Sequence, residues 1–141
     1  MGSQVKQVLV VASKTANSER LMKEIEGRAA AEACRFTLLI PDAGDREKAD
    51  RTLAVVLPLM RRAAGSPVNG VVDGPDPFDS VQRAVQEGSY DEIIVSTLPR
   101  RVSKWLRRDL ITRVEGLGLP VTAVIPKPVR DPTAGVGGIP G

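Results

Sequence analysis

The chain contains no histidine. That absence excludes Ser-His-Asp and Cys-His catalysis and every histidine-containing metal site. Its one cysteine, Cys34, cannot form an internal disulfide, which points to a reducing, cytoplasmic compartment. Read as part of an alanine-rich helix, Cys34 is expected to be a small buried residue. Aromatic residues are scarce, with two Phe, one Trp and one Tyr, so stacking platforms for nucleic acid are few. The net charge of +3 is too small to imply a nucleic-acid partner by itself. No apolar run approaches the roughly 20 residues of a membrane helix. Polar residues arrive too early in the chain for a signal peptide.

What is present is globular. The hydrophobic fraction is 42% and the charged fraction 26%, over a length of 141 residues that suits one domain with its own core. Five apolar runs of strand length alternate with longer helical patterns. Val5 to Ala12 is apolar on both faces, as a central parallel strand requires. Asn17 or Ser18 can cap a helix running to about Cys34, with Leu21, Ile25, Ala29 and Ala33 on its buried face. Phe36 to Ile40 is a second strand, stopped by Pro41. A second helix spans about Arg46 to Ala64, with Leu53, Val56, Leu57 and Met60 inward; Pro58 should kink or split it, and Gly65 should end it. Val68 to Asp73 is a third strand. A helix that buries Phe78, Val81, Ala84 and Val85 follows it and ends at Gly88. Ile93 to Thr97, a helix over about Arg101 to Glu115, and Leu119 to Ile125 complete the pattern. The alternation implies an α/β class: a single doubly wound three-layer α/β/α domain with a five-stranded parallel sheet. Residues 1–126 form that domain, and 127–141 form a Pro/Gly-rich tail.

Ligands of such sheets bind beyond the carboxyl ends of the strands, where the strand order reverses. That point is beside the first strand. The loop after it carries Ser13, Lys14 and Thr15, and the loop after the fourth strand carries Ser96, Thr97, Arg100 and Arg101. Each loop precedes a helix N-terminus, which favours anions. Helix capping alone would also explain Ser13, Thr15, Asn17 and Thr97. Arg100, Arg101, Lys104, Arg107 and Arg108 crowd the start of the fourth helix, against its dipole, and fall in one sector. They make a solvated charged face, an anion site or, last because only one Trp and one Tyr could stack, a nucleic-acid surface. Asp73 and Asp76 could hold Mg²⁺ through water, although loop and helix-cap duty accounts for both. Neither Ser13-Lys14-Thr15 nor Gly135-Val136-Gly137-Gly138 meets the pattern of a phosphate-binding glycine loop. The candidate ligand-binding set is Ser13, Lys14, Thr15, Ile40, Asp73, Gly74, Ser96, Thr97, Arg100, Arg101, Ser103 and Lys104, with no catalytic and no metal-ligating residue.

Across about Val5 to Pro126 the chain resembles the universal stress protein family. The resemblance rests on Val8-Leu9-Val10-Val11 followed by a polar loop and on Val71-Val72-Asp73-Gly74-Pro75-Asp76-Pro77 before a helix. It rests also on Asp91-Glu92-Ile93-Ile94-Val95-Ser96-Thr97 and on Gly118-Leu119-Pro120-Val121-Thr122-Ala123-Val124. It implies a strand order 3-2-1-4-5, a homodimer, and membership of either ATP binders or members that bind no ATP. The binders carry Gly-x-x-Gly, nine residues, then Gly-Ser or Gly-Thr around the triphosphate. Those positions here read Ser96, Pro99, Asp109 and Leu110, the pattern of a subtype without the glycine-rich motif. The expected function is a non-catalytic regulatory or stress-response protein that holds a nucleotide or other anionic ligand in a modified crevice. The alternative is a ligand-free homodimeric module whose basic fourth helix docks an acidic partner.

Overall fold

β1 (Lys6–Val11) pairs in parallel on both of its edges, with β2 (Cys34–Pro41) on one side and β4 (Glu92–Ser96) on the other. β3 (Val68–Asp73) adds in parallel outside β2, and β5 (Val121–Val124) outside β4. The five-stranded order is therefore β3-β2-β1-β4-β5, the order implied by the resemblance. These features come from a computed structural model that describes residues 5–12, 16–41, 45–74, 76–96 and 110–124.

The strands form because their apolar residues suit both faces of the sheet. On one face Val8, Val10, Phe36, Leu38 and Ile40 are closed off from water. They meet Leu21 and Ile25 of α1 (Glu19–Ala31) and Val56 and Met60 of α2 (Arg46–Ala64). On the other face Leu9, Val11, Leu39, Ile93 and Val95 meet Val81 of α3 (Pro77–Glu87) and Val114 of α4, whose described helical residues are 110–115. Each such side chain contributes about 1.5–3 kcal/mol when fully buried. Helix starts are capped by side chains. Ser18 Oγ accepts from the Leu21 amide at 3.1 Å, Asp45 Oδ1 from Lys48 at 3.0 Å, and Asp76 Oδ1 from Phe78 at 2.9 Å. Gly65 ends α2 at φ 69°, a left-handed conformation that glycine adopts without a Cβ penalty.

Several boundaries differ from those expected. α1 stops at Ala31, and Cys34 opens β2 instead of closing a helix. The ladder claims it: Cys34 lies opposite Lys6, whose amide donates to the Ala33 carbonyl at 2.9 Å. Leu21 and Ile25 are buried as expected, whereas Ala29 is partly buried and Ala33 exposed. Burial and the neighbouring Glu32 push the Cys34 thiol pKa above its ordinary value. Pro41 stays inside β2 as its last residue, opposite Asp73. Pro58 does not split α2. It lies on the exposed side with Ala54, the residue whose carbonyl loses its partner, while Val56 and Met60 anchor both halves to the core. β5 starts at Val121 rather than Leu119 because Pro120 has no amide to donate; its carbonyl accepts from Ile93 at 2.9 Å.

At the amino edge of the sheet a charged network fixes α1 against three strands. Glu92 is 6% exposed. It receives Lys6 Nζ at 3.0 Å on Oε1 and pairs with Arg28 through Oε2. Lys6 also reaches Glu32 at 2.9 Å. The same Arg28 guanidinium donates to Glu24 at 2.8 Å and to Thr122 Oγ1 of β5 at 2.8 Å. A buried charge left without partners is costly, so the elements of this network stand or fall together. Glu92→Gln is expected to lower stability by about 3 kcal/mol. Glu24→Gln, which breaks a more exposed pair, should cost below about 1 kcal/mol. Urea unfolding midpoints at an unchanged slope would measure both; equal losses would show that burial of Glu92 does not matter.

Candidate functional site

The strand order reverses beside β1, and the carboxyl ends of β1 and β4 lie there. Val11 is opposite Val95 on β4 and opposite Leu39 on β2, so the next residues, Ile40, Ala12 and Ser96, lie side by side across three strands. All three are buried, at 1%, 2% and 6% exposure. The Ala12 amide donates to the Leu39 carbonyl at 3.1 Å, which continues the ladder past the end of β1. The surface where these strands end is thus largely apolar, with Ser96 as its polar member, and Ser96 already has an interaction partner of its own.

Asp73 and Gly74 lie elsewhere along the same edge. Asp73 ends β3, two strands from β1, so about 10 Å separates the two strand axes. There Asp73 works as a clasp for α3. Its Oδ2 accepts from Arg83 Nε at 3.0 Å, and its Oδ1 accepts from the Gly74 amide at 2.7 Å. The Ser80 hydroxyl, on a fully buried residue, lies 3.1 Å from the Gly74 carbonyl oxygen and 3.0 Å from that of Asp76, and donates to one of them at a time. Asp76 caps the helix, which is the loop and cap duty that the sequence allowed for it. Among the described residues no group of three or more Cys, Asp or Glu side chains is placed to hold a metal ion.

Of the candidate set, the structure places Ile40 and Ser96 beside Ala12 at the carboxyl ends of the strands and puts Asp73 and Gly74 at the α3 clasp. Ser13, Lys14, Thr15, Thr97, Arg100, Arg101, Ser103 and Lys104 lie outside the described residues. Arg83 is a partner that the sequence reading did not single out. Its signal is its place on α3, ten residues after Asp73 and within the first two turns of the helix, a relation visible only once the helix is known to turn back toward the end of β3. A different cationic contact joins α3 to α4, the Arg113 guanidinium 4.1 Å from the centre of the Phe78 ring. No helix among the described residues is long and apolar enough to cross a membrane.

The Arg83 guanidinium and then the Gly74 amide hold the Asp73 carboxyl below its ordinary pKa. A carboxylate with a lowered folded-state pKa contributes stability that is present above its unfolded pKa, about 3.9, and lost as pH falls through the folded value. Asp73→Asn should therefore lower the melting temperature at about pH 6 and flatten its fall toward about pH 2. Thermal melts of both proteins across that range would show it, and parallel acid limbs would remove Asp73 from the account.

No protein-family model and no curated protein matches this chain. Solved structures do share its fold. A universal stress protein from Archaeoglobus fulgidus superposes with a TM-score of 0.63 at 18% identity, over 85% of this chain and 94% of that one. A universal stress protein of the same organism in complex with dAMP also gives 0.63 at 18% identity, over 86% and 98%. A universal stress protein in complex with cAMP gives 0.65 at 15% identity, over 88% of this chain and the whole of that one. At such identity the likeness is one of fold: this chain has the architecture of universal stress proteins over most of its length.

Proposed function

We propose that this chain is a non-catalytic regulatory or stress-response protein of universal stress protein type. It binds a nucleotide or another anionic ligand in the crevice beyond β1 and β4. The observation that carries this reading is the placement of Ala12 and Ser96 side by side where the strand order reverses, the usual ligand position of an open parallel sheet. Two structures of the same fold are described in complex with dAMP and with cAMP, which supports a nucleotide as the ligand class. Ser13, Lys14, Thr15, Ser96, Thr97, Arg100 and Arg101 make the contacts in this reading, with Ser103 and Lys104 next to them. Pro99 has no amide to offer a phosphate and Asp109 would repel one. A triphosphate in a glycine-lined loop is therefore not the mode of binding, and arginine takes the place of loop amides. The protein acts as a homodimer, as the family resemblance implies.

Isothermal titration with AMP, cAMP and ATP tests the reading. At least one should bind with Kd below about 1 mM, and the Arg100→Ala, Arg101→Ala double variant should lose about tenfold in affinity. Absence of binding by all three at millimolar concentration would overturn it, as would a double variant that binds as tightly as the parent. Sedimentation should give twice the chain mass.

A further inference from the structure

The two faces of the sheet are not covered equally. α1 and α2 reach across one face as far as β3. On the other, α3 stops short of the β3 edge, and Val71 remains 45% exposed. A cleft of about 230 Å³ lies there. Leu39, Thr37 and Val71 line it from the sheet, and Ala84, Glu87 and Tyr90 line it from α3 and the turn after it. It follows β2 and β3 from the level of Thr37, opposite Asn69, to Asp73, a run of about 13 Å. The ring of Tyr90 lies close against Gly88, where a Cβ would come within 2.8 Å of it.

Two residues of this cleft stand against their own local energetics. Thr37 is 9% exposed, and among the described residues its hydroxyl has no hydrogen-bond partner. A buried hydroxyl without a partner costs free energy that a valine of the same shape would avoid. Glu87 is the exposed last residue of α3, where the helix dipole is negative and the last turn carries no basic residue; Arg83, one turn earlier, feels its charge but is hydrogen-bonded to Asp73. Asp73, at the far end, is already held by Arg83 and the Gly74 amide. None of the residues lining the cleft is cationic. Between the two polar residues the walls are aliphatic or aromatic. An occupant that relieves both costs needs a positive charge, hydrogen-bond donors and an apolar body.

We propose that this cleft binds a small organic ammonium compound, with Glu87 as counter-ion to the ammonium, Thr37 as a hydrogen-bonding partner, and Leu39, Val71 and Ala84 around the apolar body. The site is separate from the crevice beyond β1 and β4 and does not depend on nucleotide binding there. Both polar residues can be changed without endangering the fold: Thr37→Val keeps the branched shape, and Glu87→Gln alters an exposed helix end.

Amide-resolved NMR titration of the full chain, with 2-phenylethylamine, 2-phenylethanol and phenylacetate as probes, tests the assignment. The amine should shift the amides of Thr37, Leu39, Val71 and Tyr90 saturably and bind about tenfold tighter than phenylacetate. Glu87→Gln should bring the amine to within about twofold of the alcohol, and Thr37→Val should weaken amine binding about fivefold. The proposal is overturned if the amine shifts none of these amides at millimolar concentration. It is equally overturned if the three probes bind alike, or if neither variant alters amine binding.

Discussion

The parallel pairing of β1 with both β2 and β4 is the constraint on which the rest of the molecule depends. A strand hydrogen-bonded on both edges and covered on both faces has no surface left for water, so every residue from Val8 to Val11 must be apolar, and each is. The chain winds outward from β1 through β2 and β3 in one direction, then returns to β1 and winds outward through β4 and β5 in the other. That return creates the reversal, and the reversal sets the ends of β1 and β4 side by side at Ala12 and Ser96. Architecture and the position of the candidate site thus come from one pairing decision.

The strands and helices were legible because burial repeats with a period that sequence displays. Val8 to Val11, Val68 to Asp73 and Arg46 to Ala64 are found where their periodicity puts them. Misplaced boundaries occur where an interaction across the sheet outweighs local pattern. Cys34 follows a run of alanines that reads as helix, yet pairing opposite Lys6 draws it into β2. Pro58 carries a strong local penalty, but an outward-facing position leaves the freed carbonyl near solvent while the inward residues keep the helix continuous across it.

The site was less legible than the fold. Ile40 and Ser96 were recognisable as strand ends, and the register sets both beside Ala12. Asp73 was recognisable as a strand end too, but its partner Arg83 arrives only when α3 folds back, so a carboxylate that reads as a ligand-binding group is found in a clasp. Glu92 gives a similar lesson. In sequence it is one charge before an apolar run; in space it collects Lys6 and Arg28 from two other elements. Thr37, in the middle of an apolar strand, is a single polar interruption whose meaning depends on how far α3 extends over it.

The ion network at the amino edge separates two duties that many small domains must combine. Lys6, Arg28, Glu92 and Thr122 set the alignment of α1, β1, β4 and β5 at one end of the sheet. The segments that follow Ala12 and Ser96 begin at the other end. A lineage can therefore rewrite those segments, glycine for arginine or the reverse, without disturbing the charges that keep the strands in register. Recognition can drift while the scaffold stays as it is.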